Sequence, residues 1–197
     1  MFTTTKRIIL ASNSPRRREL LSSVGIVFDV IPANVDESVI GGETPSEHTE
    51  RLSLEKAREV AKAHPDAFVI GADSVVVLNG RIMGKPRDAK DAREMLQSLS
   101  GRTHSVITGY SVVAKDAGVE VSDYVETRVT MKELKGEEIA AYVATSEPMD
   151  KAGAYAIQGY ASSMVREING SYSNVVGLPV SEVVEMLIGL GALKYAD

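Results

Sequence analysis

The sequence contains no cysteine and no tryptophan, and its aromatic residues make up only 5% of the 197 positions. Without cysteine there is no disulfide framework, no thiolate metal site and no cysteine nucleophile. A reducing cytosol is the compartment that suits such a chain best, and the few aromatics leave little surface for stacking on bases. An excess of positive charge is missing as well: 22 Lys and Arg face 27 Asp and Glu, a formal net charge of -5. General affinity for duplex nucleic acid needs a broad cationic surface that displaces counterions, so nucleic acid is not an expected partner. Long apolar runs are also absent. Behind Lys6 and Arg7 the apolar stretch is only Ile8-Ile9-Leu10-Ala11, too short for a signal-peptide core. No run approaches the ~18 residues of a membrane span. The expectation is a cytoplasmic protein with no membrane partner.

Several catalytic signatures are missing too. There is no Gly-x-Ser-x-Gly elbow for a serine triad, no P-loop, and no dinucleotide fingerprint after the first strand. Of the three histidines, His48 and His64 read as lying on or just after an exposed helix, and His104 stands alone near a strand start. That spacing does not support a histidine-rich zinc site.

What is present is an ordinary globular composition, 44% apolar and 25% charged, in one domain spanning residues 1–197. At this length roughly 70% of the unfolded surface can be buried, so no staple is needed. The apolar pattern alternates between periods of 2 and 3.6, the mark of a mixed α/β domain. Ile8 to Ala11 and Val27 to Ile31 read as strands. Ser14 caps a helix with Pro15 at its first position, ended by Gly25. Thr44-Pro45-Ser46-Glu47 is a capping box opening a helix to about Ala63. Phe68 to Leu78 is a strand, and Asn79-Gly80 turns it into Arg81-Ile82-Met83. Asp88 opens a helix with an Ala89, Ala92, Met95, Leu96, Leu99 stripe, stopped by Gly101. His104 to Val113 and Val119 to Met131 form a hairpin across Asp116-Ala117-Gly118. Helix around Glu137 to Thr145, loop Ser146 to Gly153, strand Val165 to Ile168, turn Asn169-Gly170 and a closing helix Leu178 to Leu190 complete the chain.

Local rules break at a few places. Arg16, Arg17 and Arg18 crowd the first turn of a helix, where the dipole disfavours each cation by ~0.3–1 kcal/mol. Either this is a basic helix start with dispersed counterions, or an anion docks there. Free N–H groups, the Ser12 and Ser14 hydroxyls and guanidinium forks suit a polyphosphate. Asp73 of Gly71-Ala72-Asp73-Ser74-Val75 interrupts an apolar strand, and an unpartnered buried carboxylate is costly. It is either an acceptor of backbone hydrogen bonds at a bend or a metal ligand and general base. Lys85, in Gly84-Lys85-Pro86, is a solvated loop lysine or a phosphate contact. Asp36-Glu37 is a turn or a source of a carboxylate for magnesium. Arg51, Glu55 and Lys56 share one helix, as a surface ion-pair face or with Lys56 turned inward. The segment Glu147 to Gly159 packs acids, a lysine, a tyrosine and Gln158 into a loop too dense for a plain connection. Gln158 has the donor and acceptors needed to read a base edge, unless the segment is a capped surface turn.

Taken together, these motifs resemble the Maf family of nucleoside triphosphate pyrophosphatases. The resemblance runs through Leu10-Ala11-Ser12-Asn13-Ser14-Pro15-Arg16-Arg17, Gly71-Ala72-Asp73-Ser74-Val75-Val76 and Gly84-Lys85-Pro86. It continues through Leu99-Ser100-Gly101-Arg102-Thr103-His104, Glu147-Pro148-Met149-Asp150-Lys151-Ala152-Gly153, Ile157-Gln158-Gly159 and Asn174-Val175-Val176-Gly177-Leu178-Pro179. It implies an α/β fold similar to the inosine-triphosphate pyrophosphatases (Maf/Ham1-like). That fold is an elongated mixed sheet flanked by helices, with a cleft between two lobes. It implies splitting of a nucleoside triphosphate into monophosphate and pyrophosphate with a divalent metal, Mg2+ or Mn2+, and commonly a homodimer. Asp73 matches the family's proton acceptor, and Arg17, Ser74 and Gln158 match positions tied to substrate choice. The pattern resembles the subfamily acting on dTTP and UTP, except that Ser74 stands where threonine is usual. Joining residues to resemblance, Ser12, Ser14, Arg16 and Arg17 are expected on the phosphates and Asp73 and Glu37 on the metal. Lys56 and Lys85 are expected opposite the leaving group, and Gln158 at the base. A nucleotide-binding regulator of division without turnover, or a pyrophosphatase for purine or methylated nucleotides, would share the arginine turn.

Overall fold

The computed structural model describes residues 1–196. Its elements are β1 (Phe2–Thr4), β2 (Ile8–Leu10), α1 (Pro15–Ser23), β3 (Asp29–Val30), α2 (Pro45–Ala61), β4 (Phe68–Leu78), β5 (Arg81–Met83) and α3 (Ala89–Leu99). There follow β6 (Thr103–Ala114), β7 (Val119–Met131), α4 (Gly136–Ala144), β8 (Val165–Asn169), α5 (Tyr172–Val176), α6 (Val180–Gly189) and β9 (Leu193–Tyr195). A mixed seven-stranded sheet has the order β3-β2-β4-β6-β7-β8, with β5 on β4. Strand β2 runs parallel to β3 and β4, whereas β4–β5 and β7–β8 are antiparallel. β1 and β9 form a separate antiparallel pair. Among the described residues no helix is long and apolar enough to cross a membrane.

The chain divides into two compact units. The first comprises residues 1–73, 108–125 and the segment from Gly177 onward. Here the strand period of 2 sorts side chains to two apolar clusters. Ile8, Leu10, Phe68, Ile70 and Ala72 join Leu21 of α1 and Val183 and Leu187 of α6. Ile9, Ala11 and Val69 join Ala57, Val60 and Ala61 of α2. Each fully buried Leu or Ile is worth about 1.5–3 kcal/mol of transfer free energy. By the same alternation Gly71 and Asp73 share the Val69 face, beneath α2. Two glycines let that helix come close: a Cβ on Gly71 would lie 1.9 Å from the Ser53 carbonyl oxygen, and one on Gly109 2.3 Å from that of Thr49.

The second unit comprises residues 74–107 and 126–176. Asn79 and Gly80, at φ 52° and 77°, make the two-residue turn the sequence predicts between β4 and β5. Asp88 caps α3 by accepting the Asp91 N–H at 2.8 Å, and Ala92, Leu96 and Leu99 are buried. The helix packs against α4 and against 3-10 turns at Glu147–Asp150 and Ala152–Ala154.

Several expectations change. The strand read at Val27 to Ile31 is only Asp29–Val30, an edge strand; Val27 is 74% exposed and pairs with no neighbour in the sheet. The closing helix begins at Val180, with Pro179 as its N-cap rather than inside the first turn. The β1–β9 pair and α5 are additional elements that no local sequence signal predicts.

Candidate functional site

The site is assembled where β2 gives way to α1. The Ser14 side chain accepts the Arg17 N–H at 3.5 Å, and the Ser14 N–H donates to Ser12 Oγ at 3.2 Å. The helix start carries no acidic residue, so no carboxylate of its own first turn offsets the positive end of its dipole. Arg17 folds back over this turn. Its Nε donates to the Gly177 carbonyl at 2.7 Å, and Nη1 donates to the Ala72 carbonyl at 2.8 Å and to Ser12 Oγ at 3.2 Å. Burial pushes the Arg17 pKa down, Asp73 resists, Arg16 adds to the fall and Glu37 resists; the group stays a cation. Arg16 is half-buried, whereas Arg18 is exposed. Of the three arginines in this turn, Arg18 alone is turned to solvent.

Lys56 is turned inward and is 7% exposed. It lies between Ser53 and Ala57 on the face of α2 that meets β4. Its Nζ donates to Asp73 Oδ1 at 2.7 Å and pairs with Glu37 Oε1 at 2.6 Å. Asp73 is 9% exposed, and the Glu37 side chain 55%. The two carboxylates thus converge on one cationic atom. Asp36 takes a local role, its Oδ1 accepting the Ser38 N–H at 3.0 Å and the Ser38 hydroxyl at 2.6 Å. Those bonds hold its pKa down.

This donor set allows the implied metal to be tested against the residues. Among the described residues no group of three or more His, Cys, Asp or Glu converges on one point. Mg2+ does not need one: it takes one or two carboxylates and fills its octahedron with water and substrate oxygens. Asp73 and Glu37, already gathered about a positive charge, fit that requirement.

His48, read as exposed, is 3% exposed. Its Nδ1 lies 3.3 Å from both Glu43 Oε2 and Arg51 Nη2. Arg51 also donates to the Ser38 carbonyl at 3.0 Å and, above all, holds the Glu43 pKa down to about 2. These groups close the loop that carries Glu37 onto α2.

In the second unit, Ser74 is half-buried directly after Asp73, Lys85 is exposed and Gln158 half-buried. The Gly153 N–H donates to the Gly84 carbonyl at 3.0 Å, so two of the motifs singled out in the sequence meet there. Burial alone pushes His104 down to about 4, and its Nε2 lies 2.7 Å from the Tyr155 hydroxyl. The sequence reading missed the polar contacts of Tyr142 and His104. Alternation along β6 was the available signal for His104.

Residues 7–190 match the family described as Maf-like protein. A dTTP/UTP pyrophosphatase of Geotalea uraniireducens (strain Rf4) is 54% identical over 194 residues, 98% of this chain and 100% of the relative. One of Syntrophus aciditrophicus (strain SB) is 51% identical over 192 residues, 98% of this chain and 94% of the relative. The solved structure of a HAM1 protein from Coxiella burnetii is similar with a TM-score of 0.53 at 16% identity, covering 94% of this chain and 100% of that one. That likeness is one of fold: a mixed α/β sheet flanked by helices.

Proposed function

The chain belongs to the Maf family, and from that premise we propose that it hydrolyses dTTP and UTP to the nucleoside monophosphate and pyrophosphate. The support is chemical as well as familial. Lys56 draws Asp73 and Glu37 together at 2.7 and 2.6 Å, and Arg17 feels the charge of both. A phosphate-binding turn and a carboxylate pair thus lie in one electrostatic neighbourhood. Phosphoryl chemistry asks little covalent work of a protein; position and charge neutralisation supply most of the rate.

In this reading Ser12, Ser14, Arg16, Arg17 and the start of α1 hold the phosphate chain. Asp73 accepts the proton of the attacking water, with Lys56 fixing its orientation. Mg2+ or Mn2+ bound by Asp73 and Glu37 would neutralise phosphate charge and acidify water. Lys56 and Lys85 offset charge on the departing pyrophosphate. Ser74 and Gln158 select the base, since a pocket that pairs a polar edge rejects one that leaves its groups unpaired. In this reading residues 1–197 are one Maf-like domain that works in the cytoplasm in a house-cleaning role and can pair as a homodimer. The test is a panel of nucleoside triphosphates with Mg2+ and product identification. Nucleoside monophosphate and pyrophosphate from dTTP and UTP support it; binding without turnover, or a preference for purines, contradicts it.

A further inference from the structure

The segment that carries Gln158 is fastened by side chains that the proposed reaction does not use. His104, 3% exposed on β6, holds the Tyr155 hydroxyl at 2.7 Å. Tyr142, 3% exposed on α4, accepts the Ala156 N–H at 3.3 Å and donates its hydroxyl to Glu147 Oε1 at 3.0 Å. Glu147 Oε2 accepts the Tyr160 N–H at 3.4 Å. Gly159 completes the fit. Its φ is +78°, and a Cβ there would lie 2.6 Å from Glu147 Oε2, so the carboxylate fills the space a side chain would need. Residues on both sides of Gln158 are therefore held, while its own amide makes no cap bond to the 3-10 turn Gly159–Met164 that it precedes.

We propose that Tyr142 and Glu147 are positioning residues for base selection: they fix the backbone on either side of Gln158 and so set where its amide meets the base. The inference rests on Gln158 being the base reader. Discrimination by hydrogen bonding demands a fixed geometry, because a segment free to shift re-pairs with the wrong base and leaves nothing unsatisfied. Loosening the frame therefore lowers selectivity. Loss of a purely structural support would lower stability and reduce kcat/KM equally for every nucleotide.

The experiment measures kcat and KM for dTTP and dGTP in Tyr142→Phe, Glu147→Ala, Glu147→Gln and Gln158→Ala, each checked for folding by circular dichroism. Tyr142→Phe keeps the ring and removes the hydroxyl. It and Glu147→Ala are expected to cut the dTTP-to-dGTP ratio of kcat/KM about tenfold, chiefly through KM, the scale of one hydrogen bond. Glu147→Gln keeps the acceptor for the Tyr142 hydroxyl but presents a donor to the Tyr160 N–H, and should restore part of the ratio. An unchanged ratio in folded Tyr142→Phe and Glu147→Ala, while Gln158→Ala collapses it, overturns this inference alone. An unchanged ratio in Gln158→Ala overturns the base-reader reading beneath it.

Discussion

Replacing Gly71 with alanine puts one methyl group between β4 and α2, two residues before Asp73. The new Cβ would lie 1.9 Å from the Ser53 carbonyl oxygen, 2.9 Å from the Ala57 nitrogen and 3.0 Å from the Ser53 carbonyl carbon. All three are helix backbone, so no side chain can swing aside. Reaching ordinary contact near 3.5 Å requires α2 to retreat by about 1.5 Å. Overpacking typically costs 1–3 kcal/mol, and a backbone clash belongs at the upper end, about 3 kcal/mol. With a urea slope of ~2 kcal/mol/M the midpoint should fall by about 1.5 M. Activity should suffer as well. Lys56 lies between Ser53 and Ala57 on the displaced face, and its 2.7 Å bond to Asp73 would stretch; a misplacement of about 1 Å is worth up to ~10²-fold in rate. The assay is urea unfolding beside steady-state turnover of dTTP. Gly136→Ala serves as the control, since a Cβ there meets nothing within 4 Å. A Gly71→Ala protein with the parent's midpoint and kcat would refute the close packing of α2 on β4, and with it the origin of the Lys56–Asp73 pair.

Two further predictions concern buried charge. Removing the ammonium in Lys56→Met leaves Asp73, 9% exposed, without its partner; breaking a buried pair costs 3–5 kcal/mol. Because the Glu37 side chain is 55% exposed and its half is screened, about 2–3 kcal/mol is expected in urea unfolding, and an unchanged midpoint would contradict the pairing. His104 sets a pH dependence: burial lowers it from 6.5 to about 4. Between those values the unfolded chain binds a proton that the folded chain does not. Its contribution is therefore complete above the unfolded pKa and is lost as pH falls from 6.5 toward 4, roughly 3 kcal/mol in all. Unfolding free energies measured across that window should fall with acid, and His104→Asn should flatten the slope; equal slopes in both proteins would contradict it.

The elements that the sequence placed well are those written in local backbone chemistry. Ser14, Thr44 and Asp88 each cap the helix they were expected to cap, because an N-cap needs only a side-chain oxygen and the next three residues. The β1–β9 pair has no such signal, since Phe2 meets Tyr195 from the other end of the chain. The burial of His48 was hidden for a similar reason: polar neighbours suggested an exposed face, but Glu43 and Arg51 close over it. In the site, Asp73 stood out as a carboxylate in an apolar strand; the face it shares with Val69, beneath α2, is seen once the strand is paired and packed. Lys56 remained open between surface and interior because its partners lie elsewhere in the chain. Glu37 sits in an irregular stretch before α2 with no period to orient it, so its convergence on Lys56 appears only in three dimensions.

Asp73→Asn tests most directly whether Asp73 takes the proton from the attacking water, because the amide preserves shape while removing basicity. Pyrophosphate release from dTTP should fall by roughly 10²–10⁴-fold in a protein whose circular dichroism matches the parent. Turnover within a few-fold of the parent would show that the proton goes elsewhere.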